Sequence, residues 1–388
     1  MELTRAHRPH AHDRASVNAH YGRTFECAFA PDVACLLSNV YRDSEEEEWN
    51  DDDADVVATG GEDGVARVFA VRHGSHVREI SCARGHSGEV LRIAFASSGA
   101  FATASADGSC KIWTLEADES AGKTNASGRA HARCAQTLDG HPGEVYGCVF
   151  MDDVRPGTIA TCSETEVYWH DVETKARTGA SKRETRTTEA ETSVPDRWSP
   201  GYLFSLTRSE ELGVLACGCS DGAIRVYSDG ARGGTFGEIV ATASPHPNAI
   251  VGTTVFIDQG RVLASVGLDG TIALTDTRTW GMFRRISTGT RLMSACGVGG
   301  GWLATVGATG AVRAMDVVHD AQAPAHVFAP PIEPLVPLFC VAANAKGTRL
   351  ACAGAGVPLT SPTLGATFSV KRPDLSRLDV WTAKRPER

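Results

Sequence analysis

A recurrence constrains this chain more than any other feature: an Asp in a tight turn between two short apolar runs, with a bulky or β-branched residue six positions later. It occurs from Asp107 to Trp113, Asp63 to Phe69, Asp221 to Tyr227 and Asp269 to Thr275. The clearest copy lies between Gly85 and Trp113. It runs through Val90–Phe95 and Ala100–Ser105, turns at Ala106-Asp107-Gly108 and closes on Cys110–Trp113. Apolar residues that alternate or cluster over four to six positions, bounded by Gly, Ser or Asp, predict three short antiparallel strands. Side chains two apart on a strand share a face, so Thr103 and Ser105 point the same way. A buried His86 imidazole held by the Asp107 carboxylate and relayed through a hydroxyl to the Trp113 indole would satisfy each polar group it buries. His86 and Asp107 are therefore read as structural residues.

This pattern resembles the WD-repeat family, and the resemblance implies an all-β, seven-bladed WD40 β-propeller closed by pairing of the N- and C-terminal segments. The blades are expected at about 20–83, 84–138, 139–195, 200–241, 246–287, 290–328 and 335–384, with a closing strand near 11–18. The third blade offers His141 and Trp169, with its turn altered to Ser163-Glu164-Thr165. The sixth degenerates to Thr309 and Met315. An acidic loop at 42–55 and loops at 116–133, 174–199 and 356–377, read as mobile, interrupt the repeats.

Composition narrows the function classes. A net charge of −9 argues against a dedicated nucleic-acid binder, which needs a basic stripe. Membrane insertion is not expected, because no run approaches the roughly 18 apolar residues of a bilayer span. The first ten residues carry no apolar signal core, so a cytoplasmic or nuclear protein is expected. The 12 Cys lack paired CxxC spacing and read as reduced core thiols; Cys217 and Cys219 alone make no zinc site. His7, His10 and His12 have no acidic or thiol companion, so no metal or cofactor is expected. Gly218-Cys-Ser220-Asp-Gly222 matches the hydrolase G-x-S-x-G elbow, but the same Asp-Gly recurs in the other repeats, and no catalytic residue is assigned.

What the family resemblance implies is a non-catalytic scaffold or adaptor that binds peptides and subunits, monomeric within a larger complex. Within it, Leu263–Arg278 is similar to the sixteen-residue box of WD-repeat substrate receptors for cullin-4 ubiquitin ligases. Asp276 and Arg278 match the acid and the Arg of that box, and Thr275 stands where the box has an aromatic. The resemblance makes Arg278 the residue that docks on the ligase adaptor, with a substrate peptide as second partner. The alternatives are a constitutive subunit of a trafficking, ribosome-assembly or chromatin complex, and a propeller enzyme, for which no convergent acid, base and nucleophile appears.

Overall fold

Strands of three to ten residues account for nearly all regular structure in the computed structural model. It describes residues 12–38, 54–71, 77–117, 130–181, 201–319, 326–328, 336–355 and 375–383. His7, His10, residues 42–53 of the acidic segment, 118–129, 182–199 and 356–374 lie outside the described residues.

The first strand, β1 (His12–Tyr21), belongs to the last blade. Blade 1 follows as β2 (Thr24–Phe29), β3 (Asp55–Gly61), β4 (Val65–Val71) and β5 (Val77–Arg84). Blade 2 is β6 (Val90–Phe95), β7 (Phe101–Ser105), β8 (Cys110–Ala117) and β9 (Ala130–Leu138). Blade 3 is β10 (Val145–Phe150), β11 (Thr158–Ser163), β12 (Glu166–Asp171) and β13 (Arg177–Ala180). In blade 4 the strands are β14 (Leu203–Ser209), β15 (Val214–Cys219), β16 (Ile224–Ser228) and β17 (Ile239–Ala243). Blade 5 comprises β18 (Val251–Ile257), β19 (Val262–Gly267), β20 (Thr271–Asp276) and β21 (Gly281–Ser287). Blade 6 comprises β22 (Leu292–Gly299), β23 (Trp302–Gly307), β24 (Val312–Asp316) and β25 (His326–Phe328). Blade 7 takes β26 (Leu338–Ala343), β27 (Arg349–Gly354) and β28 (Leu375–Ala383), and receives β1 as its fourth strand.

Each blade is a four-stranded antiparallel sheet, in chain order in blades 1–6, and the first strands of neighbouring blades pack side by side around one axis. Second strands such as Val214–Cys219 are buried on both faces because each blade is sandwiched between two others, so they read as continuous apolar runs. Seven hydrophobic clusters each join one blade to the next. The cluster holding Phe101 and Trp113 joins blades 1 and 2, and the one holding Cys27, Phe69, Ala351 and Val380 joins blades 7 and 1. Closure is covalently out of order. β1 pairs with β28 from His12↔Ala383 to Tyr21↔Leu375, so the first described strand completes the last sheet and removes its edge. A polar latch crosses the same seam: Arg349 of blade 7 pairs with Asp55 of blade 1, to which Asn344 Nδ2 also donates at 2.9 Å.

Three stretches differ from the sequence reading. The ends of 116–133 and of 174–199 are strand rather than loop, with Glu116 opposite His131 and Trp169 opposite Gly179. Outer strands have one solvated edge and a polar face, so their composition matches that of a loop. Likewise β28 begins at Leu375, inside the stretch read as loop. A short helix, α1 (Val33–Ser38), precedes the acidic segment, capped by Asp32 Oδ1 accepting from Cys35 N at 2.9 Å. It buries Leu36 in the cluster between blades 1 and 2.

Candidate functional site

The polar chain of blade 2 is complete. The loop between β5 and β6 places His86, the β7–β8 turn places Asp107, and the two strands carry Thr103 and Trp113. His86 Nδ1 lies 2.8 Å from Asp107 Oδ2 and Nε2 lies 2.6 Å from Thr103 Oγ1. The Trp113 indole donates to that same hydroxyl oxygen at 2.8 Å. One direction of donation satisfies all four groups: indole N–H to Thr103, Thr103 O–H to a neutral His86, and His86 Nδ1–H to the carboxylate. Burial lowers the His86 pKa against the pull of Asp107, which fits the neutral ring. Burial also opposes the charge of Asp107, yet hydrogen bonds from Ser109 and His86 outweigh it and hold the carboxyl at about 2. The relay hydroxyl is Thr103. Ser105 instead accepts from Asp107 N at 3.2 Å, and Ser109, which the sequence reading omitted, donates to Asp107 at 2.7 Å.

Other blades keep parts of this chain. In blade 1, His20 contacts Asp63 and Thr59, each at 2.8 Å, while Arg67 donates to Asp63 at 2.8 Å and Phe69 fills the indole position. In blade 5, His246 contacts both oxygens of Asp269 at 3.2 Å and Ser265 at 2.8 Å, with Thr275 at the indole position. His20 and His246 were missing from the sequence-based set. Each stands 43 or 23 residues before its Asp, against 21 in blade 2, and His246 lacks the Gly-His pair that marks His86 and His141. Blade 4 has no such histidine; Asp221 is tied to Arg225 at 2.8 Å.

Blade 3 departs most. His141 contacts Thr161 at 2.8 Å and the Gly108 carbonyl at 3.1 Å. Trp169 does not occupy the position of Trp113. Thr103 pairs with Lys111, two before Trp113, whereas Thr161 pairs with Tyr168, two before His170. The hairpin is one residue shorter, so His170 takes the indole position, its ring centroid 4.9 Å from that of His141. Trp169 points the other way, into the core shared with blade 4, 4.4 Å from Phe236. Neither ring nitrogen of His170 has a hydrogen-bond partner, and burial, aided by the charges of His141 and Arg177, pushes its pKa down to about 4.

The remaining sequence candidates fall elsewhere. Ser220 is buried in a turn between two strands of blade 4, with no strand-to-helix elbow. Cys217 and Cys219 are buried free thiols, and burial pushes Cys219 up to about 12, where a thiol is a poor nucleophile. Asp276 and Arg278 lie in the β20–β21 hairpin of blade 5. Arg278 donates to Asp276 at 2.8 and 3.2 Å, and 83% of its side chain is exposed. Inside the ring, Arg92 of blade 2 pairs with Glu26 of blade 1 and reaches across to the Gly252 carbonyl of blade 5 at 3.4 Å, bridging the axial channel. These groups lock blades together and present surfaces.

The family model of the WD domain, G-beta repeat, matches residues 76–114. That span takes the outer strand of blade 1 and the first three strands of blade 2, so the sequence repeat is offset from the blade by one strand. No curated protein matches the chain. Propellers of this family mediate protein–protein interactions and are typically non-catalytic scaffolds. One matched repeat, the six further blades built on its plan and their out-of-order closure make this protein a member of the WD40-repeat β-propeller family.

Proposed function

We propose that this interaction scaffold is a substrate receptor of a cullin-4 ubiquitin ligase, with the β20–β21 hairpin docking on the ligase adaptor. The observation that carries the reading is Arg278: its guanidinium stands in solvent while Asp276 fixes its direction through two bonds. A planar donor held this way loses little freedom on meeting a partner carboxylate or carbonyl. Met282 and Phe283, 47% and 52% exposed on the adjoining β21, supply apolar area beside it. Thr275, where the receptor box has an aromatic, is buried in blade 5 and marks the departure from that box.

The test is affinity purification of the tagged protein from its native cells beside an Arg278→Ala variant, with partners quantified by mass spectrometry. The ligase adaptor should accompany the parent and fall away from the variant, whose thermal stability should match the parent because the exposed guanidinium bonds to Asp276 in its own hairpin. Absence of the adaptor from both would sink the receptor reading, and the complex recovered instead would name the scaffold's pathway.

A further inference from the structure

The chain holds one Arg-Arg pair, Arg284-Arg285, and a serine follows it at Ser287. All three lie on β21, the outer strand of blade 5, beyond which the sheet has no further strand among the described residues. Pairing with β20 is regular at this end, Arg285 opposite Ala273 and Ser287 opposite Thr271, so Arg285 and Ser287 share a face of the strand. Ser287 ends the strand, is exposed, and its hydroxyl makes no hydrogen bond to the described residues. Thr288 beside it is already engaged, its hydroxyl 2.8 Å from the Gly270 carbonyl and 3.1 Å from that of Thr290. Open space follows at Gly289, where a side chain would meet nothing within 4 Å. Other serines three residues after an arginine are hidden or lack the pair: Ser81, Ser228 and Ser294 are buried, and Ser87 follows Arg84 alone.

Both guanidiniums are lightly held. Arg285 donates to Asp269 at 2.7 Å, and Arg284 donates to the Val317 carbonyl of blade 6 at 3.1 Å. Asp269 also accepts from the Thr271 hydroxyl at 2.8 Å and contacts His246, so it keeps partners when Arg285 turns away. An outer strand is tied by one ladder rather than two, so its end opens more readily than any inner strand. A third cation adjoins the same place: Arg313 of blade 6 donates to the Thr288 carbonyl at 3.2 Å and to the Thr290 hydroxyl at 3.1 Å.

We infer that Ser287 is a phosphorylation site for a protein kinase that selects paired basic residues three and two positions before its acceptor, and that the phosphate takes Arg285 from Asp269. The inference goes beyond the scaffold reading and does not use the Arg278 hairpin. A kinase substrate lies extended, which β21 already is, and the two guanidiniums meet acidic side chains of the kinase in charge-assisted bonds. Ser287 Oγ attacks the γ-phosphorus of ATP, the bond to the β–γ bridging oxygen breaks, and ADP leaves with that electron pair. The hydroxyl proton passes to the catalytic carboxylate of the kinase. The product sets up to two negative charges on the face of Arg285, two residues away, where a phosphate is a stronger acceptor for the guanidinium than a carboxylate. The β21 edge that a partner meets thereby changes from cationic to nearly neutral.

The test incubates the full chain and its variants with radiolabelled ATP and the purified catalytic subunit of the cyclic-AMP-dependent protein kinase. The parent should acquire phosphate on Ser287, located by mass spectrometry of its peptides. Ser287→Ala should lose that incorporation and melt with the parent, since the side chain it alters is exposed. Arg284→Gln should lower kcat/KM at Ser287 about tenfold or more, and Arg284→Lys should keep most of it because the charge remains. In phosphorus NMR of the phosphorylated parent the phosphate should titrate below the ordinary phosphoserine value of about 6, and in Arg285→Gln return toward it. No incorporation, or incorporation at Ser87 or Thr288 in place of Ser287, would overturn the assignment. A phosphate that titrates alike with and without Arg285 would overturn the exchange of partners.

Discussion

Replacing His170 by Phe tests the polar account of blade 3 at its weakest point. His170 is 1% exposed, has no partner on either ring nitrogen, and holds a pKa of about 4 against the ordinary 6.5. A base whose folded pKa is depressed binds its proton more tightly in the unfolded chain. Its penalty is therefore absent above about pH 6.5, grows as pH falls, and levels off near pH 4. At about 1.4 kcal/mol per pKa unit that gap amounts to roughly 3 kcal/mol, and to about 2–3 kcal/mol with solvent screening. Phe takes up no proton, and Phe69 already fills the same register position in blade 1. At neutral pH, removing two unpartnered nitrogens stabilises the fold by about 1–2 kcal/mol, offset by a similar cost of fitting a larger ring. That offset does not depend on pH, so the slope isolates the titration. Urea unfolding of parent and His170→Phe at pH 7, 6, 5 and 4 should show the variant gaining roughly 2–3 kcal/mol on the parent across the series. The other buried histidines cancel because both proteins carry them. A difference that stays constant with pH would refute the reasoning, since His170 would then titrate as a free imidazole or have a partner.

In blade 2, Trp113→Phe removes one donor and some buried area and should cost about 1–3 kcal/mol in urea unfolding; Thr103→Val, which strands the indole N–H and the His86 nitrogen together, should cost at least as much, and a negligible effect of either would remove the relay. Asp107→Asn should lower stability by about 2–3 kcal/mol at pH 7. Because the Asp107 carboxyl lies at about 2, its contribution persists above the ordinary 3.8 and is lost as pH falls toward 2. Parent and Asn variant should therefore converge in acid, and a gap unchanged at pH 2 would exclude the charge as its source. Glu26→Gln leaves Arg92 uncompensated in the channel and should cost roughly 2–4 kcal/mol, whereas Glu26→Leu combined with Arg92→Met should recover most of that loss. Equal unfolding midpoints for the two variants would mean that the bridge is not a coupled pair.

The repeated Asp-Gly turns and the short apolar runs made the blades legible, because both signals are local. A turn needs its residues in sequence, and a strand's burial alternates or persists within a few positions. For that reason β6, β7 and β8 could be drawn from residues alone. The last blade was legible for a topological reason: its sequence offered three strands, and a closed ring needs a fourth. The outer strands β9 and β13 escaped because a half-solvated strand and a loop share one composition. The histidines of blades 1 and 5 escaped because their partners lie 43 and 23 residues away without a shared Gly-His signature.

What only the tertiary structure decided is register. Trp169 and His170 are neighbours in sequence, and nothing local says which of them faces His141; the pairing of Thr161 with Tyr168 turns one into the core with blade 4 and leaves the other buried without a hydrogen bond. The first strand of every blade slips register at its second residue, as between Thr24 and Glu26 or Leu338 and Cys340, and follows the same rule. Phe25, Tyr146, Phe204 and Phe339 look like ordinary strand residues, and only a slip in each ladder turns them toward one axis. Sequence by itself determined that this chain repeats an antiparallel unit seven times, because alternation and turns are properties of neighbouring residues. Which side chains meet was left to the sheets, because a single-residue slip sends every side chain beyond it to the opposite face.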